Sequence, residues 1–226
     1  MPAGAVGLVV SAAPGAGRRL PIVPARVLLA EQAGPLERVR ALSACSAVQF
    51  EAVYAPLLSA LADYVQRLPC ARQPEQTILH ARLRAAERAL ARRRGAILPP
   101  DAGSERVARE ADLWTYAVFS LALLRRLARE FAPWSIVLWS AHDRPLGRWQ
   151  PRSAPCGLAG VKGVAAYSLR PETGPPGADW TPLVAGALLP GAALNWLWRE
   201  PGVMSVWQQA LSSDLPPEIA PLFADS

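Results

Sequence analysis

His80 and His142 are the only imidazoles among 226 residues. A divalent metal centre takes three or more protein ligands, with further groups orienting them. Two isolated histidines cannot supply a two-metal hydrolytic site. His142 does precede Asp143, but the pair lies in the stretch SAHDRPLG, where Asp143 reads as a turn residue ahead of Pro145. Covalent chemistry finds no better footing, with no GxSxG elbow and no cysteine beside a histidine. Gly15-Ala16-Gly17 is not followed by the GK[ST] of a phosphate loop.

The chemistry that the residue types do support is anion recognition. Lysine and arginine number 24 against 18 acidic residues, Lys162 is the only lysine, and the formal charge is +6. A guanidinium pairs with phosphate or carboxylate through a planar fork. A GC-rich genome, which favours arginine and alanine codons, would produce the same bias. Between His80 and Gly95 lie Arg82, Arg84, Arg88, Arg92, Arg93 and Arg94, opposed only by Glu87. On a helix, Arg84, Arg88 and Arg92 share a face at i, i+4 spacing. That face, together with Arg93 and Arg94 and extended by Arg125, Arg126 and Arg129, could lie against a phosphate backbone, the alternative being a solvated surface. Trp134, Trp139 and Trp149 could stack on unpaired bases or pack in the core or at a partner interface. Trp180, Trp196, Trp198 and Trp207 read as core anchors of short helices.

The elements that would position these residues are mostly helical. An extended segment at 20–24 carries two prolines, which bias their predecessors away from helix. Helices are expected over 25–32, 34–43 and 47–68, the last from apolar residues recurring at three- and four-residue steps. A loop over 70–76 leads to a helix over 76–94, with Leu79, Leu83, Ala86 and Leu90 on one stripe and Gly95 as its stop. Ser104 is the expected cap of a helix over 105–131. Strands are expected at 135–139 and 164–169, with turns between them. A Pro/Gly loop at 171–177 precedes helices at 180–189, 191–199 and 201–212, and a terminal turn follows Pro216.

The length suits one domain at 20–226 behind a flexible segment at 1–19. The three cysteines, Cys45, Cys70 and Cys156, are dispersed and form no CxxC, which suggests a reducing compartment. The apolar run at 5–13 has no basic residue ahead of it and is followed by Arg18 and Arg19, the wrong order for a secretory leader. No apolar stretch approaches the ~20 residues that span a bilayer. A cytoplasmic protein without a membrane partner is the expectation.

Six stretches together resemble the N-terminal relaxase domain of TraI proteins from integrating conjugative elements, the MobH group, distant relatives of HD-domain metallohydrolases. They are LPIVPARVLLA at 20–30, VQFEAVYAPLLSALADYVQRLP at 48–69, RRGAILPP at 93–100, WTYAVFSLALL at 114–124, GRWQP at 147–151 and LLPGAALNWLWREPGV at 188–203. They occur in family order and at family spacing. The resemblance implies an HD-like helical bundle with a small β-hairpin or sheet insertion around 135–170, mainly α overall.

The same comparison exposes departures. Where the family carries a run of histidines, this chain has CARQPEQTILH at 70–80, and His80 is set one position off, about 100° of helical rotation. Where the family's His-Asp pair follows a run like Ala122-Leu123-Leu124, this chain has Arg125-Arg126. A guanidinium has donors and no acceptor, so it cannot ligate a cation. A further histidine-bearing stretch falls near GADWT at 177–181, which offers only Asp179. Two histidines also cannot form the triad that a tyrosine relaxase uses. A 4-3 repeat through Val107, Ala111, Trp114, Val118, Leu121 and Ala128 predicts an inward Arg125. There its charge would replace the missing cation, paired with Glu51, Asp63 or Asp179; the other possibility is a snorkelling surface arginine.

The sequence therefore reads as a catalytically inactive relaxase-like module of a conjugative or mobile element, binding DNA through its arginine-rich helix or binding other conjugation proteins. No cofactor, catalytic residue or metal ligand is expected. The chain stops soon after the matching stretches, which is expected of an accessory protein or truncated paralogue. Two alternatives stay open: a metal-dependent nuclease or phosphohydrolase with rearranged ligands among Glu75, His80, Asp112 and Asp179, and a protein-interaction scaffold.

Overall fold

Two long helices carry the core, α5 (Ile78–Arg93) and α6 (Ser104–Leu124), and they pack along one another. The computed structural model describes residues 18–153, 156–172 and 179–224. The apolar run at 5–13 and most of the Pro/Gly loop at 171–177 lie outside the described residues. Leu79, Leu83, Ala86 and Leu90 of α5 are buried, as their spacing requires. The Thr77 hydroxyl caps α5 by accepting the His80 backbone N–H at 3.2 Å. Ser104 is the first residue of α6 and not its cap; Gly103 holds that position and makes no side-chain bond.

The helix expected over 47–68 is divided into α3 (Ala47–Gln49), a π-helical turn over Phe50–Tyr54, and α4 (Ala55–Val65). Pro56 accounts for the division. It has no N–H, and its ring crowds the carbonyl four residues back. The backbone widens by one residue, and Ala55 N–H reaches the Phe50 carbonyl, a π-bulge. The wider turn stacks Phe50 on Tyr54 with ring centroids 5.3 Å apart.

At the far end of α4, Gln66 adopts φ +48° with its side chain buried. Its Oε1 accepts Val23 N–H at 2.8 Å and its Nε2 donates to the Val23 carbonyl at 3.0 Å. This amide binds the 20–24 segment as a neighbouring strand would. Asp63, one turn earlier, accepts Ala25 N–H at 3.1 Å at the start of α1 (Ala25–Ala30). The α2 helix (Ala33–Ser43) then packs on α5.

The sheet has four antiparallel strands, β1 (Arg19–Pro21), β2 (Trp134–Trp139), β3 (Pro145–Arg148) and β4 (Ala166–Pro171), in the order β1-β4-β2-β3. The reading of 145–148 as a turn missed β3. Pro145 and Gly147 argue against a central strand but are tolerated on an exposed edge. Pairing of β1 begins at Arg19, inside the segment expected to be flexible.

The chain closes with α8 (Thr181–Leu188), α9 (Gly191–Trp198), α10 (Pro201–Ser212) and a 3-10 turn at Ala220–Phe223 packed on α5. Trp207 is buried and donates to Ser120 Oγ at 2.9 Å. Trp196 packs on Tyr116 at 5.8 Å between centroids. Trp198 is 57 % exposed and anchors nothing, because Ala193 and Leu197 take the inward face of the two-turn α9. The architecture is mainly α with a small sheet.

Candidate anion site at the end of helix α6

The helix expected to run to residue 131 stops at Leu124. Arg125 turns to ψ 129°, Arg126 enters the left-handed region at φ +54°, and a separate helix α7 (Ala128–Phe131) follows. A left-handed non-glycine residue costs about 1–3 kcal/mol and persists where its surroundings over-determine it. Here Arg82 Nη1 donates to the Arg125 carbonyl at 2.7 Å, and Ala128 N–H donates to the buried Thr181 hydroxyl at 3.0 Å. Neither glycine nor proline marks the break, so periodicity alone ran through it.

The break redirects Arg125. Its Nε donates to the Ala210 carbonyl at 3.0 Å and its Nη2 to the Ser213 carbonyl at 3.2 Å. These groups close the C-terminal end of α10, where the helix dipole favours a cation. The expected partners are engaged elsewhere or exposed. Asp63 serves α1, Asp179 accepts Thr181 N–H at 2.9 Å, and Glu51 faces solvent. The inward pairing of Arg125 with a carboxylate is therefore corrected to a helix-end contact.

Arg125 also lines a cleft of about 300 Å³ with Arg72, Arg82, Arg88, Arg126 and Arg129. One carboxylate, Glu130, lines it too. Glu130 is fully engaged: Oε1 receives Arg82 Nη2 at 2.9 Å, and Oε2 receives Ala71 N–H at 2.9 Å. Burial lowers the pKa of the Arg82 guanidinium, and Glu130 opposes that shift. Burial, followed by the Arg126 charge, lowers that of Arg125; Arg129 and Arg82 act in the same direction, and Asp214 opposes them. Arg126 reaches Asp214 at 3.2 Å, but that carboxylate is exposed and such a pair is weak. Among the described residues, the side chains of Arg72, Arg88 and Arg129 make no hydrogen bond or ion pair. The cleft is an array of cations whose mutual repulsion an anion would relieve.

The arginine face expected on α5 is dispersed. Arg84 bonds Glu87 at 2.6 Å, and Glu87 also takes Arg38 at 2.7 Å. Arg92 binds carbonyls of the C-terminal turn, those of Leu222 and Ala224. Arg93 is buried and donates to the Ala96 carbonyl at 2.7 Å and the Ala111 carbonyl at 3.2 Å. Arg94 donates to the Ala41 carbonyl. Of the residues assigned from sequence to a phosphate-binding face, only Arg88, Arg125, Arg126 and Arg129 line the cleft, and Arg93 cannot belong to any surface patch. Arg72 and Arg82 complete the cleft. Arg72 lies in the 70–76 loop, where no spacing signals it.

His80 Nδ1 lies 2.8 Å from Gln32 Oε1, and Arg82, two residues and about 200° further round α5, reaches the cleft instead. His80 and Arg125 are thus not brought together. The metal that the family resemblance implies does not fit the residues present. Among the described residues no group of three His, Cys, Asp or Glu side chains is placed to hold a metal. The alternative ligands Glu75, His80, Asp112 and Asp179 are not gathered either.

A second cavity, of about 630 Å³, also borders α7. Phe131, Trp134, Trp149 and Trp180 line it, with Arg148 and, again, Arg129. Trp149 is 3 % exposed and packs on Tyr64 and Phe131, both at 5.5 Å between centroids. Trp180 packs on Phe131, also at 5.5 Å, half-buried against the core and at the cavity wall. Trp139 stands apart from Trp134 and Trp149, with Arg19 3.9 Å over its ring and its indole N–H on Ser168 Oγ at 2.9 Å.

A family profile, TraI_2, described as "Putative helicase", matches residues 17–211. No curated protein matches the chain.

Proposed function

Because the chain belongs to the TraI_2 family, a relaxase- or helicase-like family related to conjugation, we propose that it is a DNA-binding accessory module that holds phosphate on arginine and does not cut the strand. The carrying observation is the cleft at the end of α6, where six arginines meet one carboxylate that is already engaged. By the sequence resemblance, it lies where HD-like relaxases would carry their His-Asp pair. Cations fixed around a concave surface attract a polyanion, and the binding energy comes largely from counterion release. Other conjugation proteins are the natural partners of such a module.

Fluorescence anisotropy of labelled single- and double-stranded DNA across a salt series tests this reading. Binding is expected to weaken steeply with salt. Combined Arg72→Ala, Arg88→Ala and Arg129→Ala substitution is expected to lower the salt slope by about 2–3. Thermal melting should hardly change, because those side chains make no hydrogen bond or ion pair among the described residues. Absence of binding at low salt, or a variant that binds like the parent, would overturn the proposal.

A further inference from the structure

Phosphate binding leaves the tryptophan cavity unexplained. Its volume of about 630 Å³ falls in the ~300–1,000 Å³ range of small-ligand pockets. The indole N–H groups of Trp134 and Trp149, both in its wall, are buried without an acceptor. Buried donors are nearly always satisfied, and an orphaned one costs free energy. An aromatic cavity with unspent donors suits a flat heteroaromatic ring bearing carbonyl or ring-nitrogen acceptors.

Arg129 lines both this cavity and the arginine cleft, so α7 is their common wall. Glu172 and Asp179 stand on the aromatic side, and Arg148 is ion-paired with Glu172. A negatively charged group is therefore disfavoured there and favoured in the arginine cleft.

We propose that the two cavities form one nucleotide site. The base lies among Trp134, Trp180 and Phe131, and the phosphate passes over α7 to Arg129, Arg126 and Arg125. The inference rests on the anion-binding reading of the arginine cleft. The ligand chemistry, a base carrying a phosphate, is shared by a free nucleotide and by the phosphorylated end of a DNA strand.

Isothermal calorimetry in EDTA provides the test, with inorganic phosphate, guanosine, GMP, AMP and a 5′-phosphorylated pentathymidylate as probes. At least one nucleotide-bearing probe is expected to bind about tenfold or more tighter than both phosphate and guanosine, since stacking and charge act together. Trp180→Leu should abolish that gain and leave phosphate binding unchanged. Arg129→Ala should weaken phosphate and nucleotide alike. Preference for the oligonucleotide assigns a strand end, and preference for GMP or AMP a free nucleotide. Phosphate binding with no nucleotide gain, or a gain untouched by Trp180→Leu, overturns the joint site and leaves the anion cleft standing. Absence of phosphate binding sinks both. Guanosine binding as tightly as GMP would show that the cavities are not linked.

Discussion

Glu130→Ala is expected to destabilise the protein by about 3–5 kcal/mol, the cost of removing one member of a buried ion pair. The Glu130 and Arg82 side chains are 15 % and 13 % exposed, so solvent offers the survivor little compensation. Arg82 would be left in a cleft shared with five other arginines, with no carboxylate lining it. The Ala71 N–H would lose its acceptor as well. Adding Arg82→Met to Glu130→Ala removes the stranded charge and should recover part of the loss, although the Arg125 carbonyl then loses its donor. Urea denaturation of the parent, the single and the double variant measures this. A loss below about 1 kcal/mol would mean that the pair behaves as a surface contact and that the cleft is wet.

Gly157→Ala is the second large effect, at about 2–5 kcal/mol. Gly157 holds φ +72°, where an L side chain is strained, and an added Cβ would stand 2.3 Å from the Tyr64 Cα. That contact is with backbone and cannot be relieved by a rotamer change. It exists because the loop after β3 lies directly on the end of α4, with Leu158 N–H on the Tyr64 carbonyl and Ala159 N–H on that of Asp63. The Tyr64 hydroxyl closes the junction on the Pro151 carbonyl at 2.8 Å. Gly163 provides the control. It has φ +79°, but nothing lies within 4 Å of its added Cβ. Gly163→Ala should therefore cost only the conformational part, roughly 1–2 kcal/mol. Equal losses for the two variants in thermal or urea melts would show that the approach to Tyr64 is unimportant.

How much was legible in the chain depended on whether local chemistry or distant contacts decided each element. Apolar spacing located α5 because Leu79, Leu83, Ala86 and Leu90 form one buried stripe on a helix that packs most extensively on α6. Pro56 stood in plain view inside the 47–68 periodicity, but periodicity does not distinguish a helix from one carrying a π-bulge. The end of α6 carried no mark at all, since the turn at Arg125 and Arg126 is held by Arg82 on α5 and Thr181 on α8. The arginine count pointed to anion chemistry, while the spacing pointed to a set that the cleft shares only in part. Helical rotation placed Arg84, Arg88 and Arg92 on a stripe, but Glu87 and the C-terminal turn occupy the first and last of these. The cleft instead gathers side chains from a loop, from α5 and from the 125–129 turn, an assembly that no single-helix pattern encodes. The family resemblance drew attention to Arg125 and Arg126, both of which line the cleft.

On the proposal above, arginine and not a metal holds DNA in this protein. The most direct test is anisotropy of a labelled single-stranded oligonucleotide with the full chain, in EDTA and then with Mn²⁺ added, with the DNA examined afterwards on a denaturing gel. A metal-free arginine site predicts the same affinity in both conditions and an intact strand. Binding that appears only with Mn²⁺, or a nicked product, would contradict it and return the chain to the metal-dependent nucleases.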